Sequence, residues 1–145
     1  MIKGKVISIN ISKAKGMRKS PVSEVTILPD FGIQGDAHAG GDPKRQVSLL
    51  ALESIKKMND LGLNVSAGDF AENITTEGID LLKLSVGTKM LIGDIEAEVT
   101  QIGKECHRRC SIYYQAGDCI MPKEGIFVKI FKGGSLKVGS RIRIK

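Results

Sequence analysis

The residues best suited to chemistry lie in the segment Gly103–Cys110, which places a cysteine beside a histidine among cationic side chains. Cys106 has Lys104 on one side and Arg108 and Arg109 on the other. The thiolate is the reactive form of cysteine, and nearby cations lower the pKa that limits its abundance. We therefore expect Cys106 to hold sulfur, attack an electrophile or bind a soft metal. The alternative is a group of ordinary cysteines in a solvated basic turn.

The other two cysteines leave a zinc site open as a second interpretation. The chain has three cysteines, an odd number, and all lie between residues 106 and 119, which argues against a disulfide framework. Cys106, His107, Cys110 and Cys119 are four candidate zinc ligands. Only Cys106 and Cys110 have the spacing of a structural zinc knuckle, and an adjacent cysteine and histidine rarely ligate one ion. The spacing therefore favours a reactive thiol over zinc.

A glycine-rich loop, Gly32–Gly41, places Asp36 and His38 where the backbone can approach a ligand closely. Successive N–H groups in such a loop bind anions. A long turn with a surface histidine is the structural alternative, and a hydrolytic arrangement of these two residues with a cysteine is a weaker one. The loop by itself leaves both an anion-binding site and a plain turn open.

Two further polar groups stand at the ends of predicted strands. The first group lies at the start of a predicted strand and consists of Arg45, Gln46 and Ser48. An arginine donates paired hydrogen bonds to phosphate or carboxylate groups, and the other two side chains add neutral donors. Asn73 and Thr75 share one face if their segment is extended, so both would point into one pocket.

Three acids lie near this second group, and they allow a different interpretation of the region. Asp69, Glu72 and Glu77 would form a solvated acidic face on a surface strand.

Charge is distributed unevenly along the 145 residues, whose net charge is +6. Residues 1–19 carry +6, residues 20–103 carry −7 and residues 104–145 carry +7. If the two basic ends meet in space they form a positive face suited to a small anionic ligand. Few aromatic residues, no tryptophan and no recognisable nucleic-acid module argue against nucleic acid as the partner.

The predicted elements are mostly strands, separated by glycines. This pattern favours a single domain over 1–145, mostly β, folded as a closed or nearly closed β-barrel with one or two short helices. Gly93-Asp94 is a two-residue hairpin signal. One helix, Leu52–Leu61, has an apolar face and ends at Gly62, and a second helical turn is predicted around 106–115. The predicted strands are Val6–Ile11, Val22–Leu28, Gln46–Ala51, Met90–Ile92, Ile95–Thr100, Ile126–Phe131 and Arg141–Ile144.

Four segments taken in order resemble the MOSC domain, the module at the C-terminal end of eukaryotic molybdenum-cofactor sulfurases that also occurs as small bacterial proteins. They are Gly35-Asp36-Ala37-His38, Arg45-Gln46-Val47, Gly68–Thr75 with Gly78, and Gly103-Lys104-Glu105-Cys106. The resemblance implies a pyruvate-kinase-barrel-like fold and makes Cys106 the family's characteristic cysteine. The sequence departs from common members where Glu105 replaces a proline and where Cys110 and Cys119 are extra.

The resemblance implies binding of the pterin molybdenum cofactor (molybdopterin) or of a molybdenum oxyanion, with Cys106 as sulfur carrier or metal ligand. Asp36, His38, Arg45, Gln46 and Ser48 would line the anion-binding end, Asn73 and Thr75 would contact the pterin, and Lys104, Arg108 and Lys123 would supply positive potential.

The function that follows from the resemblance has alternatives. They are a non-catalytic protein that delivers cofactor, and a reductase of N-hydroxylated compounds. No segment resembles a pyridoxal-phosphate lysine site, so the expected partners are a separate pyridoxal-phosphate cysteine desulfurase and molybdoenzymes. Without an apolar run that could cross a bilayer or a signal peptide, we expect a cytoplasmic protein with no membrane partner.

Overall fold

Strands dominate the part of the chain that the computed structural model describes, which is residues 3–14, 18–37, 39–41, 43–62, 64–103 and 125–145. One α-helix and one 3-10 turn accompany the strands within those ranges. In chain order the elements are β1 Lys3–Ile11, β2 Ser20–Val22, β3 Glu24–Leu28, β4 Gly32–Ile33, β5 Val47–Ala51, α1 Leu52–Asp60, β6 Ile74–Glu77, the 3-10 turn Leu81–Lys83, β7 Lys89–Ile92, β8 Ile95–Ile102, β9 Ile126–Lys132, β10 Gly134–Lys137 and β11 Arg141–Ile144.

Seven of these strands close into a barrel. Their hydrogen-bonded order is β11, β7, β8, β9, β5, β6 and β1, and β1 pairs back onto β11 with Lys3 opposite Arg143. Neighbours are antiparallel except β5 and β6, which run parallel and are connected through α1. β2 extends the sheet beside the far end of β1, while β10, β3 and β4 form a small second sheet. The predicted β-barrel is confirmed.

The barrel has an apolar interior and a second apolar cluster under its helix. Ile9, Leu49 and Ile74 are fully buried in the main cluster. The next residue along β5, Leu50, belongs instead to the cluster that contains Ile55 of the helix. Successive strand residues point to opposite faces, so β5 is buried on both sides, as its continuous apolar run predicts. Burying a side chain such as Ile55 stabilises the fold by about 1.5–3 kcal/mol.

Most predicted elements are present, and two need correction. The predicted strand Val22–Leu28 is broken at Ser23, and its two parts, β2 and β3, belong to different sheets. Leu61 is 79% exposed rather than buried with the helix face, because the helix ends at Asp60 and Gly62, with φ of +98°, turns the chain away. The helical turn predicted around 106–115 lies outside the described residues.

Candidate functional site

Asp36 is fixed by a buried ion pair beneath the glycine-rich loop. Its Oδ1 lies 2.6 Å from Nζ of Lys19, and both side chains are almost completely buried. The backbone N–H of Ser12 donates to the same oxygen at 3.0 Å. Burial alone would raise the pKa of Asp36, but the hydrogen bond and charge of Lys19, with the Asn73 amide and the Ser12 N–H, hold the pKa below its ordinary value. Asp36 is therefore ionised at neutral pH, and Lys19 neutralises its charge.

Asn73 joins Asp36 to the start of β5. Its Oδ1 accepts hydrogen bonds from the backbone N–H of Ser48 at 3.0 Å and from the Ser48 hydroxyl at 3.2 Å. Its Nδ2 donates to the carbonyl of Asn10 at 3.2 Å. Because the same amide lowers the pKa of Asp36, Asn73 connects the ion pair to Ser48. The structure therefore brings together three residues predicted from separate motifs.

Thr75 lies in the same buried network, on the far side of Asn10. The Asn10 Nδ2 donates to Thr75 Oγ1 at 3.2 Å, and the threonine hydroxyl donates to Oε2 of Glu72 at 2.9 Å. Asn73 and Thr75 are 1% and 0% exposed, respectively. The two residues therefore share one environment, as their spacing predicts, but it is an enclosed one.

Glu72 is completely buried, so its assignment to a solvated acidic face is wrong. Of the other two acids assigned to that face, Glu77 is exposed, and Asp69 lies 3.5 Å from Arg18 in a partly exposed ion pair. Burial raises the pKa of Glu72 to about 7, against smaller opposing effects of the Gly68 N–H and the Thr75 hydroxyl. Its Oε1 has no hydrogen-bond partner among the described residues. At neutral pH this carboxyl is therefore about half protonated.

Arg45 stands at the edge of this network, half-exposed, on the ring of Phe127. Its guanidinium carbon lies 5.5 Å from the ring centroid, and its Nε donates to Gln101 at 3.1 Å. Gln101 in turn donates to the carbonyl of Gly103 at 2.9 Å. Stacking and hydrogen bonding orient a guanidinium that would otherwise be free to rotate.

Gln46 takes a structural position instead. Its Oε1 accepts from the backbone N–H of Ile130 at 2.9 Å, and its Nε2 donates to the carbonyl of Pro43 at 3.2 Å. Within the described ranges none of its hydrogen bonds goes to Asp36, Ser48 or Asn73.

Strand register places the network beside the two residues that flank the cysteine segment. Gln101 of β8 is opposite Phe127 of β9, and Phe127 is opposite Ser48 of β5. Asn73, the residue before β6, continues this row through its hydrogen bonds to Ser48 and Asn10. Gly103 and Gly125, which flank residues 104–124, are joined by a hydrogen bond of 2.6 Å from the Gly103 N–H to the Gly125 carbonyl. These two flanking residues therefore lie two residues along the chain from Gln101 and Phe127, respectively.

Several predicted residues lie outside the described ranges, so their placement stays a prediction. They are His38, Lys104, Cys106, Arg108 and Lys123. The part of the chain that is described contains no group of three or more histidine, cysteine, aspartate or glutamate residues that could hold a metal ion. It also contains no helix that is both long enough and apolar enough to cross a membrane.

Sequence reasoning missed three members of the network, namely Asn10, Lys19 and Gln101. Asn10 had a local signal, because it is a polar residue inside the strand run Val6–Ile11. Lys19 and Gln101 had none, since each is recognisable only through a partner distant in sequence: Lys19 lies 17 residues from Asp36, and Gln101 lies 56 from Arg45.

Comparison with known proteins matches most of the chain to a recognised domain. A family model described as MOSC domain matches residues 35–143. Among solved structures, the YuaD protein of Bacillus subtilis is similar with a TM-score of 0.78 and 16% identity over 97% of this chain and 94% of that one. YiiM of Geobacillus stearothermophilus is similar with a TM-score of 0.75 and 19% identity, over 98% of this chain and 75% of that one. YiiM of Escherichia coli has a TM-score of 0.70 and 17% identity, over 100% of this chain and 70% of that one. No protein with a curated description matches the sequence.

Proposed function

The chain belongs to the MOSC domain family, and on that premise we propose that it binds the pterin molybdenum cofactor or a molybdenum oxyanion, with Cys106 as sulfur carrier or metal ligand. The family is associated with the molybdenum cofactor. The observation that carries the proposal is the family match over residues 35–143, which begins in the glycine-rich loop and includes the cysteine segment.

The charges of the described network suit an anionic ligand. The carboxylate of Asp36 is neutralised by Lys19, and the carboxyl of Glu72, with a pKa of about 7, carries at most part of a charge at neutral pH. Arg45 adds a positive charge at the half-exposed edge. The network therefore has no net negative charge to repel an anion, and its guanidinium supplies the forked donor that phosphate and oxyanion groups accept.

The position of the residues that flank the cysteine segment supports a thiol acting beside this anion site. Arg45, Gln101 and Gly103 form one chain of contacts, and Gly103 is the last described residue before the segment. Arg45 would hold the anionic end of the cofactor, and Cys106 would approach from the segment. When bound, the cofactor would supply a redox-active molybdenum centre.

Two chemical roles suit the Cys106 thiolate. As a carrier it attacks the outer sulfur of a donor persulfide, so that a new sulfur–sulfur bond forms on Cys106 while the old one breaks and the donor leaves as a thiolate. We expect the donor to be a pyridoxal-phosphate cysteine desulfurase. As a ligand the same thiolate gives a soft donor to molybdenum. Neighbouring cations favour both roles because they favour the thiolate.

The test is composition analysis of protein expressed in a host that makes the cofactor. Intact mass, metal content and pterin fluorescence are measured for the wild type, Cys106→Ser and the matched control Cys110→Ser. We expect either one extra sulfur atom on Cys106 or about one equivalent of molybdenum with pterin. Either should be lost in Cys106→Ser and kept in Cys110→Ser.

Arg45→Gln separates anion binding from thiol chemistry. It should weaken cofactor retention about tenfold, or about 1.4 kcal/mol, and leave persulfide formation on Cys106 unchanged. A wild-type protein that takes up neither sulfur, pterin nor molybdenum would overturn the proposal. One equivalent of zinc that disappears in Cys110→Ser would replace it with a structural metal site.

A further inference from the structure

Four exposed cations lie in two facing pairs where the first and last barrel strands meet. Lys3 is opposite Arg143 and Lys5 is opposite Arg141. Like charges directly opposite each other on neighbouring strands are destabilising. Among the described residues none of the four cations has a carboxylate within ion-pair distance, although Glu77 lies opposite Lys5 on β6. The fold therefore holds an unneutralised positive surface at this seam.

The seam contains a cleft of about 430 Å³, a size within the range of small-molecule pockets. Three of the cations, Lys3, Arg141 and Arg143, line it, and Asp94 is the one acidic residue among the described residues of its lining. The remaining lining residues are Gly4, Gly93 and Ile142. Three positive charges against one negative charge suit a ligand that carries at least two negative charges.

We infer that this cleft binds the diphosphate or triphosphate group of a small molecule. Arg141 and Arg143 are two residues apart on one strand face, so their Cα atoms are separated by about 6.6–6.8 Å. A guanidinium forks onto the oxygens of one phosphate, so two at this spacing engage different phosphates of one chain. Lys3, directly across from Arg143, adds a third positive group. A ligand with one phosphate would engage only part of this set.

The lining also argues against single-stranded nucleic acid as the ligand. Proteins bind such strands by stacking successive bases on aromatic side chains along a positive groove. Among the residues that the structure describes, none in the lining of the cleft is aromatic. A phosphate chain needs only the cations, which the cleft supplies.

This cleft is separate from the candidate molybdenum-cofactor site. Gly93 and Asp94 of the cleft immediately precede β8, and Gly103 of the candidate site immediately follows it. The strand Ile95–Ile102 has eight residues, so the two places are about 23 Å apart along it. Binding in the cleft therefore does not depend on the proposed function of Cys106, and either can fail alone.

The test is calorimetric titration with inorganic pyrophosphate, a nucleoside triphosphate and inorganic phosphate at a fixed ionic strength of about 0.15 M. The variants are Arg141→Gln and Arg143→Gln. Lys56→Gln is the matched control, since it removes one exposed positive charge from α1, which packs elsewhere on the barrel. Urea unfolding of each protein checks that the fold is retained.

We expect wild type to bind pyrophosphate or the triphosphate at least tenfold more tightly than inorganic phosphate. Each arginine variant should lose about tenfold in affinity, and Lys56→Gln should lose less than twofold. Equal losses in all three variants would mean a general charge effect and would refute a specific cleft. Absence of binding at millimolar ligand, or a single-stranded oligonucleotide that displaces pyrophosphate at a far lower concentration, would also overturn the inference.

Discussion

Replacing Glu72 by glutamine should change how the stability of the protein depends on pH. The side chain is fully buried, and its pKa is raised from 4.5 to about 7 by burial. In the unfolded chain the same carboxyl ionises near 4.5, so between these values the native state binds more protons than the unfolded state. The free energy of unfolding therefore falls as the pH rises through this window, and it stops falling above the folded pKa.

The size of the effect follows from the two pKa values. Proton linkage between 4.5 and about 7 removes about 2–3 kcal/mol of wild-type stability between pH 5 and pH 8. Glutamine has nearly the same shape, can still accept the hydrogen bond from Thr75 and cannot ionise. The difference in unfolding free energy between Glu72→Gln and wild type should thus shift by about 2–3 kcal/mol in favour of the variant over this pH range.

Urea unfolding at pH 5, 6, 7 and 8 measures the difference directly, with Glu77→Gln as the control. Glu77 is an exposed glutamate at the end of β6, five residues from Glu72, so its variant should follow the wild-type profile. The wild type and both variants contain the same two histidines, so any contribution from these residues cancels in the comparison. If the wild-type and Glu72→Gln curves run parallel from pH 5 to pH 8, the reasoning about burial is refuted.

Three further changes test the network around Glu72 by urea unfolding. Asp36→Asn removes the carboxylate that neutralises the buried ammonium of Lys19 and should lower stability by about 3–5 kcal/mol at pH 7. The pKa of Asp36 lies below 3.8, so the difference in stability between wild type and variant should narrow below that pH, where wild type loses the ion pair. A difference that stays constant with pH would contradict the ion pair. Gly68→Ala and Gly62→Ala both put a side chain at positive φ, but only at Gly68 does the new Cβ overlap the Lys19 carbonyl. Gly68→Ala should therefore lower stability by at least twice the roughly 1 kcal/mol of Gly62→Ala. Equal losses of stability would contradict the close approach of the Lys19 carbonyl to Gly68. Asn73→Ala removes the acceptor of the buried Ser48 backbone N–H and should lower stability by about 1–3 kcal/mol. An unchanged urea midpoint would show that this hydrogen bond does not stabilise the fold.

Local patterns in the sequence determined most of the barrel. Strand alternation and a continuous apolar run located β1, β5, β8, β9 and β11, and Gly93-Asp94 fixed the hairpin between β7 and β8. These features could be predicted because side-chain periodicity and turn chemistry act over a few neighbouring residues. The same reasoning placed Asp36, Ser48 and Asn73 in candidate motifs, though not in contact with one another.

Only the tertiary structure decided how those residues are used. Lys19 meets Asp36 across 17 residues and Asn10 meets Asn73 across 63, through a register that no local pattern specifies. Folding buries Glu72 completely, and that burial turns an apparent surface acid into one with a pKa of about 7. Burial depends on what covers a residue in the folded protein, and a local sequence pattern does not specify it.

The two basic ends of the chain show the same division. The sequence established that both ends are positive and that they would form one face only if they met in space. The pairing of β1 with β11 decided that they do, because closing the barrel removes the two sheet edges by joining its first and last strands. Cys106 stays a prediction from the sequence, because the segment that holds it lies outside the described residues and the fold places only its flanking residues, Gly103 and Gly125.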